Sequence, residues 1–161
     1  MELRRAEVEE LDDLGELTVA AYEEFMLGPT DPYRVHVRDT ASRAREAELW
    51  VAADGGQLLG CVTSCPPGSP WRELATSADE GEFRMLAVHP DARGRGVGEA
   101  LAALCEERAR SHGATRMLLS SLDEMAAAHR VYGRLGYVRL PERDWSPVPG
   151  VHLIAFTKEL S

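Results

Sequence analysis

The 161-residue sequence predicts a single α/β domain, a mixed sheet with helices packed on it. Three observations carry that expectation. The stretch Glu82-Phe-Arg-Met-Leu-Ala-Val88 is a short, mostly apolar run that enters a turn at His89-Pro90-Asp91, then a glycine-rich loop, then a helical pattern. A second apolar run at 115–121 follows that helix, and strand–helix–strand units of this kind are parallel. Hairpin signals flank the unit: Asp54-Gly55-Gly56 between two β-type runs, and a closing pair at 137–140 and 151–157.

Each element has its own signal. Residues 2–6 read as an opening strand. Leu11, Leu14, Leu17, Ala21 and Phe25 recur at helical spacing, and acidic residues crowd the first turns, where the dipole favours them. The spacing predicts a helix over 8–26, stopped by Gly28-Pro29. Residues 31–48 are polar and Arg-rich and predict a second helix. Runs 49–53 and 57–63 are the arms of the first hairpin. Residues 65–81, with Pro66, Pro67, Gly68 and Pro70, read as a loop next to the central strand. After that strand, Val97, Leu101, Leu104, Cys105 and Arg108 form one helical stripe, leaving Glu106, Glu107 and Arg110 outside it. That helix ends at Ser111-His112-Gly113, and a short one over 125–135 is stopped by Gly136. The connection 141–150 carries Trp145 and three prolines.

Composition narrows the function. The net charge of −9 opposes sequence-independent nucleic-acid binding, which needs a basic face, and is compatible with a cationic acceptor such as a protonated amine. No run approaches the roughly 18–20 apolar residues of a membrane span, and the first residues lack the apolar core of a signal peptide. Cys61, Cys65 and Cys105 are odd in number and lack metal-ligand spacing. They read as buried small hydrophobes in a reducing cytoplasm, with no metal expected.

The glycine loop carries the chemistry. Gly94, Gly96 and Gly98 let the backbone approach a ligand. The first N–H groups of the following helix lack intrahelical partners at its positive end, which suits phosphate-type anions. Arg93 and Arg95 add cations. The spacing matches neither the dinucleotide fingerprint nor a Walker loop, since the chain has only one lysine, Lys158.

Leu86-x-Val88-x-Pro90-x-x-Arg93-Gly94-x-Gly96-x-Gly98 resembles the acetyl-CoA-binding motif of the GCN5-related N-acetyltransferase (GNAT) family. Downstream, Ala128-His-Arg-Val-Tyr132-Gly-Arg-Leu-Gly136-Tyr137 resembles that family's second element. The resemblance spans the chain and implies a mostly antiparallel sheet flanked by helices, with a splayed parallel strand pair holding the acyl-CoA. It implies acetyl transfer from acetyl-CoA to an amine. Loop N–H groups of Gly94, Arg95, Gly96, Val97, Gly98 and Glu99, beside Arg93, would hold the pyrophosphate, and the backbone of Leu86, Ala87 and Val88 the pantetheine. Tyr132 would protonate the departing thiolate, with Ala128 on the same helix. One departure is Met125, where many relatives place a CoA-contacting Asn; Ser120, Ser121 or Asp123 are the substitutes at hand. Glu82 is the expected general base, with Glu23, Glu24 or a water chain as competitors. Glu23, Glu24, Asp31 and Tyr33 are candidate amine contacts, and His129 and His89 are weaker candidates for CoA or base roles. A catalytically weak acyl-CoA sensor and an unrelated phosphate-binding protein are the competing functions. Assembly as a homodimer is left open.

Overall fold

The computed structural model describes residues 1–25 and 30–161, and the side chains of these except Glu24. Strand β1 (Glu2–Arg5) leads through a 3₁₀ turn (Val8–Glu10) into α1 (Leu11–Tyr22), which runs into a second 3₁₀ turn (Glu23–Phe25). The expected end of that helix, Met26, and the stop at Gly28-Pro29 lie outside the described residues. The single helix expected over 31–48 is two, α2 (Pro32–Arg38) and α3 (Thr40–Glu46). Asp39 causes the break: its carboxylate accepts the Ser42 N–H at 3.1 Å, capping α3 and ending α2.

Strands β2 (Glu48–Asp54) and β3 (Gln57–Cys65) form the first hairpin, its turn closed by Gly55 and Gly56 at φ 57° and 93°. Then come β4 (Glu80–Val88), α4 (Val97–Ser111), β5 (Arg116–Leu122), α5 (Ala126–Arg134), β6 (Val138–Arg139) and β7 (Leu153–Glu159). The seven strands lie in one sheet, in the order β1-β2-β3-β4-β5-β7-β6. Only β4 and β5 are parallel; every other neighbouring pair is antiparallel.

The parallel pair is the feature that positions the site. Its pairing runs from Glu80↔Arg116 to Phe83↔Leu119 and stops, although β4 continues to Val88 and β5 to Leu122. Met85 sits at φ 53°, and the β3–β4 register slips between Cys61↔Ala87 and Thr63↔Arg84. Together these mark a bulge that bends β4 away from β5. The bulge also exchanges the strand's faces. Phe83 packs on the α4 side, whereas Met85 and Ala87 pack on the α1 side.

One core holds α1 and α2 on the sheet through Leu14, Leu17, Val37, Leu49 and Cys61; the other holds α4 and α5 through Val97, Leu101, Cys105, Met117 and Phe156. At Gly81 an added Cβ would fall 2.6 Å from the Ala109 Cβ, so the missing side chain lets α4 lie against β4. Glu106, expected outside the stripe, is buried beneath it. It accepts from the Tyr137 hydroxyl at 2.8 Å and the Lys158 ammonium at 3.0 Å, and these donors make its burial tolerable. All three cysteines are free and buried, and burial raises each thiol pKa. No described helix is long and apolar enough to cross a membrane.

Candidate active site

The opening between β4 and β5 is bordered on the α4 face by the glycine loop. A 3₁₀ turn (Pro90–Ala92) follows β4, capped by His89, whose Nδ1 accepts the Asp91 N–H at 3.1 Å. Gly94 and Gly96 take φ 79° and 77°, which only glycine adopts without strain, and Gly96 caps α4. Nothing lies within 4 Å of a Cβ built at either residue, so the loop faces open space. Among the described residues, the N–H groups of residues 94–99 find no intramolecular acceptor. Six unpaired donors at a helix N-terminus fit a pyrophosphate.

A Cβ at Gly98 would lie 3.7 Å from Val88 and 3.9 Å from Leu86, so the first turn of α4 abuts the open half of β4. Past Phe83 the β5-facing edge of β4, including Leu86, Ala87 and Val88, has no strand partner. Arg93 is exposed; Arg95 is 3.3 Å from Asp54, and Glu99 pairs with Arg134 of α5 at 3.3 Å.

Tyr132 comes from α5, and its ring centre lies 6.4 Å from that of Phe83, the last β4 residue paired with β5. It therefore stands at the apex of the split, among Phe83, Tyr137 and Phe156. It is 6% exposed, and its hydroxyl makes no hydrogen bond among the described residues. Burial pushes its pKa well above the ordinary phenol value, so it stays protonated at neutral pH. Ala128 packs against the same core. Met125 is the residue before α5, 4.0 Å from the Ser121 hydroxyl, and His129 Nε2 lies 3.0 Å from the Leu122 carbonyl, tying α5 to the end of β5. That bond occupies His129 structurally.

Glu82, the expected base, lies on the opposite face. Its carboxylate is 1% exposed and accepts the backbone N–H groups of Glu73, Leu74 and Ala75, each at 3.0 Å. Burial raises its pKa, and these three donors oppose the shift. A carboxylate held in this way ties residues 73–75 to β4. Asp31 caps α2 by accepting the Tyr33 N–H at 3.0 Å, and Glu23 pairs with Arg34 at 2.9 Å on the surface. Tyr33 is buried, which raises its phenol pKa, and the Glu24 side chain lies outside the described residues.

Sequence reasoning missed the residues that line this face: Tyr22, His36, Arg43, Trp71, Arg84 and Trp145. Arg84 follows Phe83 directly, so it stands where β4 leaves β5, 4% exposed. Its guanidinium carbon lies 5.6 Å from the Trp71 ring centre and 5.7 Å from that of Trp145. Arg43, from α3, lies 5.9 Å from the same Trp71 ring. His36 stacks on Trp71 at 5.2 Å; burial, then Arg84 and Arg43, push its pKa down to about 4. The signal available was a permanent positive charge, Arg84, inside the mostly apolar run Glu82–Val88.

A parallel strand pair that parts beside a helix N-terminus with unpaired N–H groups is the frame of the candidate site in this α/β domain. Residues 11–137 match the acetyltransferase (GNAT) family, and the chain belongs to that family of acyltransferases. Over 130 residues it is 35% identical to a mycothiol acetyltransferase of Cellulomonas flavigena, covering 71% of this chain and 37% of that protein. The chain thus spans about a third of the length of the curated relatives it matches. A GCN5-related N-acetyltransferase structure from Rhodopseudomonas palustris aligns over 99% of this chain and 95% of its own, at 22% identity and TM-score 0.74. A Salmonella typhimurium protein solved with its cofactor acetyl-CoA aligns over 100% and 94%, at 19% identity and TM-score 0.69. At these identities the structural likeness is one of fold.

Proposed function

We propose that this protein transfers an acetyl group from acetyl-CoA to an amine. The observation that carries the reading is the split between β4 and β5, with six unpaired N–H groups at one end and the Tyr132 phenol at its apex. Acetyl-CoA supplies an acyl thioester. The loop from Gly94 to Glu99, with Arg93 and Arg95, holds its pyrophosphate; the open edge of Leu86 to Val88 holds its amide arm, with Met125 and Ala128 bordering it. The amine nitrogen attacks the carbonyl carbon, the C–S bond breaks, and Tyr132 gives its proton to the leaving sulfur. The amine proton leaves to water, because Glu82 is occupied by the loop it anchors. Solvent then reprotonates Tyr132.

Calorimetric titration with acetyl-CoA tests the donor site, using the native protein and Gly96→Glu. A charged side chain at that left-handed position opposes the pyrophosphate, so binding by the native protein should be lost in the variant. No binding by the native protein, or equal binding by a folded variant, would overturn the reading. The anchored Glu82 also suits a second reading, an acyl-CoA sensor with little turnover. Release of CoA thiol in the presence of amines separates the two.

A further inference from the structure

We infer that the acceptor is an amine that also carries a carboxylate, bound by Arg43 and Arg84 on the α1 face of the strand split. This rests on the acetyltransferase reading and adds the acceptor's chemical class.

The argument starts from unpaired donors. Arg43 is fully buried, and its Nη1 donates to the Val37 carbonyl at 2.9 Å and to that of His36 at 3.3 Å. Its Nε and Nη2 have no partner, and no carboxylate pairs with it among the described residues. Those two atoms form one edge of the guanidinium, the fork that takes a carboxylate through two parallel hydrogen bonds. A buried cation left this way is costly unless an anion completes it.

Other orphans gather nearby. Thr63 lies directly across from Arg84 in β3, and its buried hydroxyl has no partner among the described residues. The Nε1 of the Trp145 ring that Arg84 faces likewise has no partner among the described residues. Every one of these groups can donate a hydrogen bond, and Arg43 and Trp145 can do nothing else. A cluster of surplus donors around two guanidiniums calls for an oxyanion. Among the described residues Arg84 makes a 3.8 Å contact with the half-exposed Glu73 and a 3.2 Å bond to the Trp71 carbonyl, and its charge also acts on the buried Glu82 carboxylate.

Position then ties the anion to the chemistry. Arg84 is one residue past Phe83, and Phe83 meets Tyr132 across the apex. An acceptor held by its carboxylate at Arg84 has its amine close to the thioester, on the side of the sheet opposite Tyr132. The same guanidiniums disfavour an ammonium beside them, which increases the fraction of free amine able to attack.

The test uses free amino acids, each paired with its C-terminal amide, and two readouts on the acetyl-CoA-loaded protein: calorimetric binding and CoA-thiol release. At least one free acid should bind or turn over about ten- to a hundredfold better than its amide, the range for hydrogen bonds to a charged group. Arg84→Gln should erase that ratio through KM while leaving acetyl-CoA affinity unchanged; Arg84→Lys should restore part of it. If no acid exceeds its amide in either readout, or if a polyamine such as spermidine is preferred, the inference fails. The native acid-to-amide comparison needs no variant, so a variant that does not fold leaves the test intact. Failure of acetyl-CoA to bind at all would instead sink the donor reading.

Discussion

Replacing Tyr132 with Phe separates chemistry from folding. The phenol hydroxyl makes no hydrogen bond among the described residues, and the ring is held by Phe83, Tyr137 and Phe156, none of which touches it through oxygen. Removing the oxygen therefore breaks no bond of the fold, and stability should change by less than about 0.5 kcal/mol, under about 2 °C in Tm for a chain of this size. Loss of a positioned general acid should lower kcat by about 10²–10⁴, equivalent to roughly 3–5 kcal/mol of barrier. Acetyl-CoA affinity should not change. The assay is CoA-thiol release at saturating acetyl-CoA across a pH series, with calorimetry and thermal unfolding as controls. Above about pH 8.5, where a model thiol ionises unaided, the leaving sulfur needs no proton and the defect should narrow. An unchanged kcat at pH 7, or a deficit that does not depend on pH, would refute the assignment.

Two further substitutions probe the α1 face of the split. Glu82→Gln puts an amide where three N–H groups now meet a carboxylate, so stability should fall by about 1–3 kcal/mol and protection of amides 73–75 from exchange should drop. Turnover per folded molecule should stay within a few-fold; a collapse of kcat with loop protection intact would restore Glu82 as the base. His36 has its pKa pushed down to about 4 by burial and by Arg84 and Arg43, with Asp39 opposing. The unfolded chain therefore takes the proton first, and stability present above about pH 6.5 is lost as pH falls towards 4, by at most about 3 kcal/mol. Thermal unfolding of His36→Gln should remove that part of the acid sensitivity; an identical pH profile would mean that His36 is not the titrating group.

The sequence by itself determined most of the elements and the glycine turn before α4. Gly94, Gly96 and Gly98 read directly because a glycine's conformational freedom and a helix's unpaired N–H groups are local properties. The helix that carries Tyr132 was likewise legible, because its pattern is local. Asp39 concealed the break between α2 and α3, since one carboxylate capping one N–H leaves no periodic trace. What only the tertiary structure decided is the far side of the split. The bulge at Met85 shows no glycine in the sequence, yet it parts β4 from β5 and puts Arg84 and Met85 on the same face. Glu82 was expected to work as a base because of where it stands in the strand; that residues 73–75 fold over it and donate three N–H groups to it is a long-range contact. The net charge of −9 was compatible with a cationic acceptor, and the charged groups packed beside Trp71 are guanidiniums brought from α3 and β4. Net charge is a sum over the surface; the sign of a buried site depends on which few side chains long-range packing brings together.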